Sequence, residues 1–152
     1  MTEQMLVQIA MAAVGSLGFG LLFHVSGRRL VTLAFGGAAS WGVYLLALQG
    51  YGARVPACFA ASLATAALAE VLARLLKTPV LTLLVPMLVP LAPGGDLYYT
   101  TLALVRGDMP DFARYGELVL KEAGAISFGV IVVACVMQTA NKVWALARER
   151  KE

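Results

Sequence analysis

The chain has 152 residues, of which 60% are hydrophobic and 14% are charged, whereas about a quarter of the residues of a soluble domain are charged. The mean hydropathy is +0.79 and the formal net charge is +3. This composition excludes an ordinary soluble domain, and the length suggests one membrane domain.

Sequence motifs for common site chemistry are missing. The two cysteines lie in apolar runs and the single histidine has no metal-ligand neighbours in the sequence, so we expect no disulfide framework, metal site or cofactor. We find no nucleophile elbow, phosphate loop or HExxH motif. The sequence therefore gives no reason to expect an enzyme.

Five apolar segments predict an all-α polytopic membrane protein with about five transmembrane helices. Segments of about 20 apolar residues are long enough to cross a bilayer. The first segment follows "MTEQ", which has no lysine or arginine, and this argues against a signal peptide. The predicted spans are residues 5–25, 30–48, 55–76, 79–105 and 123–147, of which the fourth is broken.

The distribution of lysine and arginine predicts the orientation, because cytoplasmic loops carry more of both. Five spans place the two termini on opposite sides of the membrane. With the C-terminus in the cytoplasm, eight of the 12 basic residues lie inside. The other four, which lie outside, are Arg54, Arg106, Arg114 and Lys121. We therefore expect the N-terminus outside and the C-terminus in the cytoplasm.

The fourth segment is the most unusual, because four prolines lie in a run of leucine and valine. From Pro79 to Pro93 a helix would be about 22 Å long, which is too short for a hydrocarbon core of about 30 Å. The sequence "PGGD" then interrupts the continuation to Val105. A broken span and a re-entrant hairpin both fit, and the charge distribution favours the broken span.

The prolines also predict free backbone carbonyls, because a proline in a helix leaves the carbonyl four residues earlier without its donor. The prolines concerned are Pro86, Pro90 and Pro93. The carbonyls belong to Thr82, Pro86 and Val89, which lie on one side of the helix. Such a face should meet protein, water or a ligand, as broken helices do in transporters. The simpler interpretation is a kinked helix whose carbonyls a neighbouring helix satisfies.

Two acidic residues are candidates for a transport pathway. Glu70 precedes Arg74 by four residues, and an acid inside a span is typical of a substrate or proton pathway; a structural ion pair at the interface is the simpler interpretation. Asp96 lies deep if the span is broken in mid-membrane, and in an outer loop if the helix ends at Pro93. The predicted pathway residues are Glu70, Arg74, Pro86, Pro90, Pro93, Gly94, Gly95, Asp96, Tyr98 and Tyr99, although the two tyrosines could instead form an aromatic belt.

Two further patterns concern packing. Asp108 is predicted to cap a helix that starts near Pro110, and this helix is either interfacial or an extension of the fifth span. Small residues four apart on the first, second and fifth segments should let these helices approach closely. They are Ala12, Ser16 and Gly20, then Gly36 and Ser40, then Ala125 and Gly129.

The segment "AEVLARLLKTPVLTLLVPMLVPLAPGGDLYYTTLALVRGD" resembles the small, C-terminal-type subunit of the threonine/serine exporter family of bacterial inner-membrane proteins. The stretch "LLFHVSGRRL" followed by "GGAASWGVYLL" is a looser match, and the resemblance covers nearly the whole chain. It implies a larger partner subunit of about five spans, export of threonine and serine, and coupling to the proton-motive force. Related two-subunit systems export dicarboxylates such as succinate.

Pattern and resemblance together favour a subunit of a proton-coupled secondary transporter for small amino acids, acting with a larger subunit or as a homo-oligomer. Carbonyls near the break and an acid would bind the ammonium group, and the N-terminus of a helix restarting after Gly95 would bind the carboxylate. A dicarboxylate would require arginine, and no arginine lies deep in a predicted span. The alternatives are a dicarboxylate exporter subunit, a non-transporting assembly or scaffold subunit, and an ion channel.

Overall fold

The computed structural model describes residues 2–149, and every regular element in that range is helical. This confirms the predicted all-α class. The helices are α1 (Thr2–Leu22), α2 (Arg28–Tyr51), α3 (Arg54–Leu76), α4 (Val80–Leu88), α5 (Gly94–Arg106) and α6 (Met109–Glu149), with a 3₁₀ turn (Val89–Leu91) between α4 and α5.

The lengths and compositions of these helices are those of a polytopic membrane protein. Within the described residues, α1, α2, α3 and α6 are each long and apolar enough to cross a bilayer. The helix formed by α4 and the 3₁₀ turn makes a fifth candidate together with α5, from which it is bent by 60°. The predicted interruption at the Pro-Gly sequence is therefore present.

Small residues bring α1 and α2 together, as the sequence predicted. Ala12, Ser16 and Gly20 are all buried. A Cβ atom on Gly37 of α2 would overlap the Ser16 hydroxyl and approach the Ala12 carbonyl, and one on Gly20 would meet the Leu33 side chain. The two helices can lie this close only because neither carries a large side chain at the contact.

Helices α3 and α6 run parallel, which follows from a nearly constant offset between contacting residues. At one end Arg54 pairs with Glu122, and at the other Arg74 donates to Asn141 at 3.0 Å. Between them the rings of Phe59 and Phe128 stack, and Gly129 lies against Ser62. All four pairs are between 67 and 69 residues apart in sequence.

Helix α4 and the 3₁₀ turn carry the chain back from the C-terminal end of α3 toward its N-terminal end. The Thr78 N–H donates to the Ala73 carbonyl at 3.0 Å, which fixes the start of α4 at the C-terminal end of α3. Leu91, at the end of the 3₁₀ turn, packs in one cluster with Tyr44 and Cys58. The short helix of α4 and the 3₁₀ turn thus runs back along α3 almost to its N-terminus. The break that follows therefore lies beside the first turns of α3 and not beside its midpoint.

Beyond the break, α5 and the first turns of α6 form an antiparallel hairpin. Helix α5 ends at Gly107, which has φ 74° and whose N–H donates to carbonyls in the last turn of the helix. The Asp111 N–H donates to Asp108 Oδ1 at 3.2 Å. This confirms the predicted cap at Asp108. Helix α6 has 41 residues without interruption, so the segment around residues 109–122 is an extension of the last span and not a separate interfacial helix.

Candidate functional site

A cavity of about 280 Å³ lies at the break between the 3₁₀ turn and α5. Its volume is at the small end of the range for ligand sites, so it suits a small metabolite. Residues from α2, α3, α5, α6 and the connecting segment line it: Trp41, Tyr44, Arg54, Cys58, Pro90, Leu91, Ala92, Pro93, Gly94, Gly95, Asp96, Tyr99 and Glu122.

The prolines and glycines of the fourth segment build one wall of this cavity. Pro90 lies in the 3₁₀ turn and Pro93 directly precedes α5. Gly94 and Gly95 then start the helix with no side chain in the cavity. The first N–H groups of a helix have no partner inside it and carry partial positive charge. The cavity therefore faces the positive end of α5.

The predicted row of free carbonyls is not complete. The Ala92 N–H donates to the Val89 carbonyl at 3.1 Å across the 3₁₀ turn, so one of the three carbonyls has a donor. The reason is that the chain tightens into a 3₁₀ turn after Leu88 and does not continue as an α-helix. The positive end of α5 is thus a clearer feature of the wall than the carbonyls are.

One arginine bridges two buried carboxylates in the cavity. Arg54, the first residue of α3, lies with Nη1 3.0 Å from Asp96 Oδ2 and with Nε 3.4 Å from Glu122 Oε1. Residue exposure is 9% for Asp96 and 4% for Glu122, whereas the Arg54 side chain is 48% exposed. The three groups together carry a formal charge of −1. Charges are rarely buried unless they are paired, and here one cation serves two anions.

Aromatic rings form the rest of the lining. The rings of Trp41 and Tyr44 lie 4.8 Å apart, and Trp41 Nε1 donates to Gln8 Oε1 of α1 at 3.2 Å. Tyr99 of α5 stacks on Tyr115 of α6 with centroids 5.3 Å apart. The Trp41–Gln8 bond ties α2 to α1, the Tyr99–Tyr115 contact joins the two helices of the hairpin, and the rings give the cavity an amphipathic wall.

Six of the ten predicted pathway residues line the cavity. They are Pro90, Pro93, Gly94, Gly95, Asp96 and Tyr99. Pro86 is buried one turn earlier in α4. Tyr98 is largely exposed and meets Tyr99 edge to face.

Glu70 and Arg74 lie at the opposite end of α3. Sixteen residues separate Glu70 from Arg54, which is about 24 Å along a helix. The predicted ion pair is present, with Arg74 Nη2 3.1 Å from Glu70 Oε1. The same nitrogen donates to Asn141 of α6 at 3.0 Å. These two residues therefore do not border the cavity.

Sequence reasoning missed Arg54, Glu122, Trp41 and Tyr44 as site residues. The sequence predicts Arg54 as an outer loop charge, whereas in the structure it lies between Asp96 and Glu122 at the cavity. A cation for a substrate carboxylate is therefore present, although no arginine lies deep in a predicted span. The reason is tertiary: the parallel packing of α3 and α6 brings Arg54 and Glu122 together. The one local signal was Glu122, an acid directly before the apolar run of the last span. Among the described residues no group of three His, Cys, Asp or Glu could hold a metal ion.

Comparison with known proteins identifies a family. A protein-family model described as "Threonine/Serine exporter, ThrE" matches residues 8–136, which is 129 of the 152 residues. This range contains every residue that lines the cavity. No curated protein and no solved structure matches the chain.

Proposed function

The chain belongs to the threonine/serine exporter family, and from this we propose that it is a subunit of a secondary transporter that exports small amino acids such as threonine and serine. The apolar helices place it in a membrane, which we propose is the bacterial inner membrane. The observation that carries the proposal is the cavity at the break, where one arginine and two acids meet.

An amino-acid zwitterion matches these groups one by one. Its carboxylate would bind the half-exposed Arg54 guanidinium, which can donate two parallel hydrogen bonds, together with the N–H groups at the start of α5. Its ammonium would bind Asp96 and Glu122. The short side chain of threonine or serine would lie against Trp41 and Tyr44. Each substrate charge thus meets a buried or preorganised opposite charge.

A dicarboxylate fits the cavity less well. It would bring two negative charges and no ammonium group to a site where Asp96 and Glu122 are already buried with one cation between them. Like charges in a site of low dielectric repel strongly. The preference for an amino acid therefore stands, but it depends on the two acids and not on a lack of arginine.

The proposed orientation predicts the side of the membrane on which the cavity lies. We propose that the N-terminus is outside and the C-terminus cytoplasmic, so that Arg54 and the hairpin lie at the outer surface. A cavity of this kind, lying between helix ends, would be the site from which substrate leaves the protein. The proton-motive force is the proposed energy source.

We further propose that the chain acts with a larger subunit of the same family, or as a homo-oligomer. Arg54 remains half exposed although it serves two buried acids, so one copy does not enclose its own site. Transport requires that the site be closed on one side at a time, and a neighbouring subunit would complete the closure.

The test of this function is counterflow of labelled threonine, serine and succinate in membrane vesicles that contain the chain alone or with a candidate larger subunit. We expect accumulation of threonine and serine, strongest with the larger subunit, and none of succinate. Accumulation of succinate alone would make it a dicarboxylate exporter subunit. No counterflow in any combination would contradict transport and favour a scaffold.

Glu70 and Arg74 have a different proposed role, as a tie between α3 and α6 at the cytoplasmic end. Arg74 is half exposed, and exposed pairs contribute at most about 1 kcal/mol. We expect Glu70→Gln to change threonine counterflow by less than about threefold, because Arg74 keeps its bond to Asn141. Loss of counterflow at normal membrane levels would instead place Glu70 in the transport pathway.

A further inference from the structure

The negative charge of Glu122 is stabilised by fewer groups than the charges of the other ionised residues of the cavity. It is buried, its Oε1 atom has no hydrogen-bond donor within the part of the chain that the structure describes, and Arg54 Nε is 3.4 Å away. It lies inside α6, more than three turns from the nearer end, whereas a helix stabilises charge only within its first and last turns. An anion so placed is costly unless a second cation approaches it.

Asp96, the other acid, is better supported. Arg54 Nη1 is closer to it, at 3.0 Å. It also lies in the first turn of α5, where the partial positive charge of the helix N-terminus favours an anion. Arg54 and Asp96 therefore form a nearly neutral pair, and the unbalanced charge of the site belongs to Glu122.

Among the described residues that line the cavity, no second cation accompanies Glu122. The titratable side chains that line the cavity with it come from three helices: Tyr44 from α2, Arg54 and Cys58 from α3, and Asp96 and Tyr99 from α5. Only Arg54 is positive. The nearest lysine on its own helix, Lys121, is paired with Glu117 on the exposed side.

We infer that Glu122 is the proton-coupling residue of this transporter, carrying a proton when the site is empty and losing it when the ammonium group of a substrate binds. This inference rests on the proposed function. When the ammonium arrives, the Glu122 carboxyl releases its proton to water and pairs with the ammonium. When the substrate leaves, the carboxylate takes a proton from water on that side.

The exchange makes substrate and proton move in opposite directions, one for one, and the proton gradient determines which way the substrate moves. Substrate that binds from the cytoplasm releases one proton there, and substrate that leaves outside is replaced by one proton from outside. One amino acid thus moves out for each proton that moves in. The ratio is one to one because the proton and the substrate ammonium compete for the same carboxylate, which has Arg54 Nε 3.4 Å away as its other cation.

The test uses inside-out vesicles with two assays, uptake of labelled threonine driven by an acidic interior and gradient-free exchange of threonine. In Glu122→Gln, which can neither take up a proton nor pair with the ammonium as an anion, we expect gradient-driven uptake to fall by about tenfold or more, and we expect the exchange that remains to be independent of pH. Wild-type exchange should fall as the pH is lowered, because a protonated Glu122 cannot pair with the ammonium. We expect Asp96→Asn to bind threonine more weakly in both assays but to remain coupled. Glu117→Gln, an exposed acid on the same helix, is the matched control and should match wild type.

Three outcomes would count against the assignment. Exchange in Glu122→Gln that keeps the pH dependence of wild type, at normal membrane levels, would make Glu122 a substrate-binding group only. If Asp96→Asn exchanges threonine but no longer takes it up in response to the proton gradient, Asp96 and not Glu122 carries the proton. This variant also decides between the two acids if the Glu122→Gln protein is not found in the membrane. Wild-type vesicles that show neither activity would contradict the proposed function itself.

Discussion

Arg54→Gln is expected to abolish threonine transport and to destabilise the protein. The substitution leaves the buried Asp96 and Glu122 without their cation. Because Arg54 is half exposed, we expect the cost to lie below the value of about 3–5 kcal/mol for breaking a fully buried ion pair. It also removes the donor group for the substrate carboxylate. Counterflow of labelled threonine and thermal unfolding in detergent would measure the two effects.

Companion variants separate the two roles of Arg54. Arg54→Lys keeps the positive charge but loses the planar fork of the guanidinium, so we expect nearly normal unfolding and strongly reduced transport. Arg106→Gln, at the exposed end of α5, is the matched control and should behave as wild type. Transport by Arg54→Gln at more than about half of the wild-type rate would exclude the cavity as the substrate site.

Gly129→Val is expected to prevent correct packing of α6 on α3. A Cβ atom at this position would overlap the Ser62 hydroxyl and would lie 3.1 Å from the Phe59 carbonyl oxygen and 3.2 Å from the Leu63 nitrogen. Backbone atoms cannot move aside as a flexible side chain can, so the helices must separate. Overpacking of this kind costs typically about 1–3 kcal/mol or more, and it would also pull Glu122 from Arg54.

The control for this variant lies on the same helix. A Cβ atom on Gly124 meets no atom within 4 Å, so Gly124→Val should accumulate and unfold as wild type does. Membrane levels and thermal unfolding in detergent of the two variants would be compared directly. Equal stability of both valine variants would mean that α3 and α6 do not pack in the parallel register described above.

The sequence predicted those features that depend on neighbours along the chain. The prolines and glycines of the fourth segment correctly predicted a break, and Asp108 correctly predicted the start of α6. The small residues of α1 correctly predicted its close contact with α2. Each of these features follows from the conformational limits or the size of one or a few adjacent residues, so a single sequence contains the information.

The charged centre of the cavity could not be predicted in the same way. Arg54 and Glu122 are 68 residues apart, and their contact depends on α3 and α6 packing in parallel with a particular register. A span count alone does not say which helices touch. The separation of Glu70 from the cavity could not be predicted for the same reason. Only the position of the break relative to α3 shows that Glu70 and Asp96 lie at opposite ends of that helix.

The unbroken length of α6 has a mechanical consequence. A helix of 41 residues is about 60 Å long, roughly twice the thickness of a hydrocarbon core, and Glu122 lies about a third of the way along it. If this helix moves as one rigid body about the contacts beside the cavity, a ligand that draws the hairpin toward Arg54 would displace the other end of α6, where Asn141 meets Arg74. Under the proposed orientation, closing the outer end and loosening the cytoplasmic end would then be a single movement.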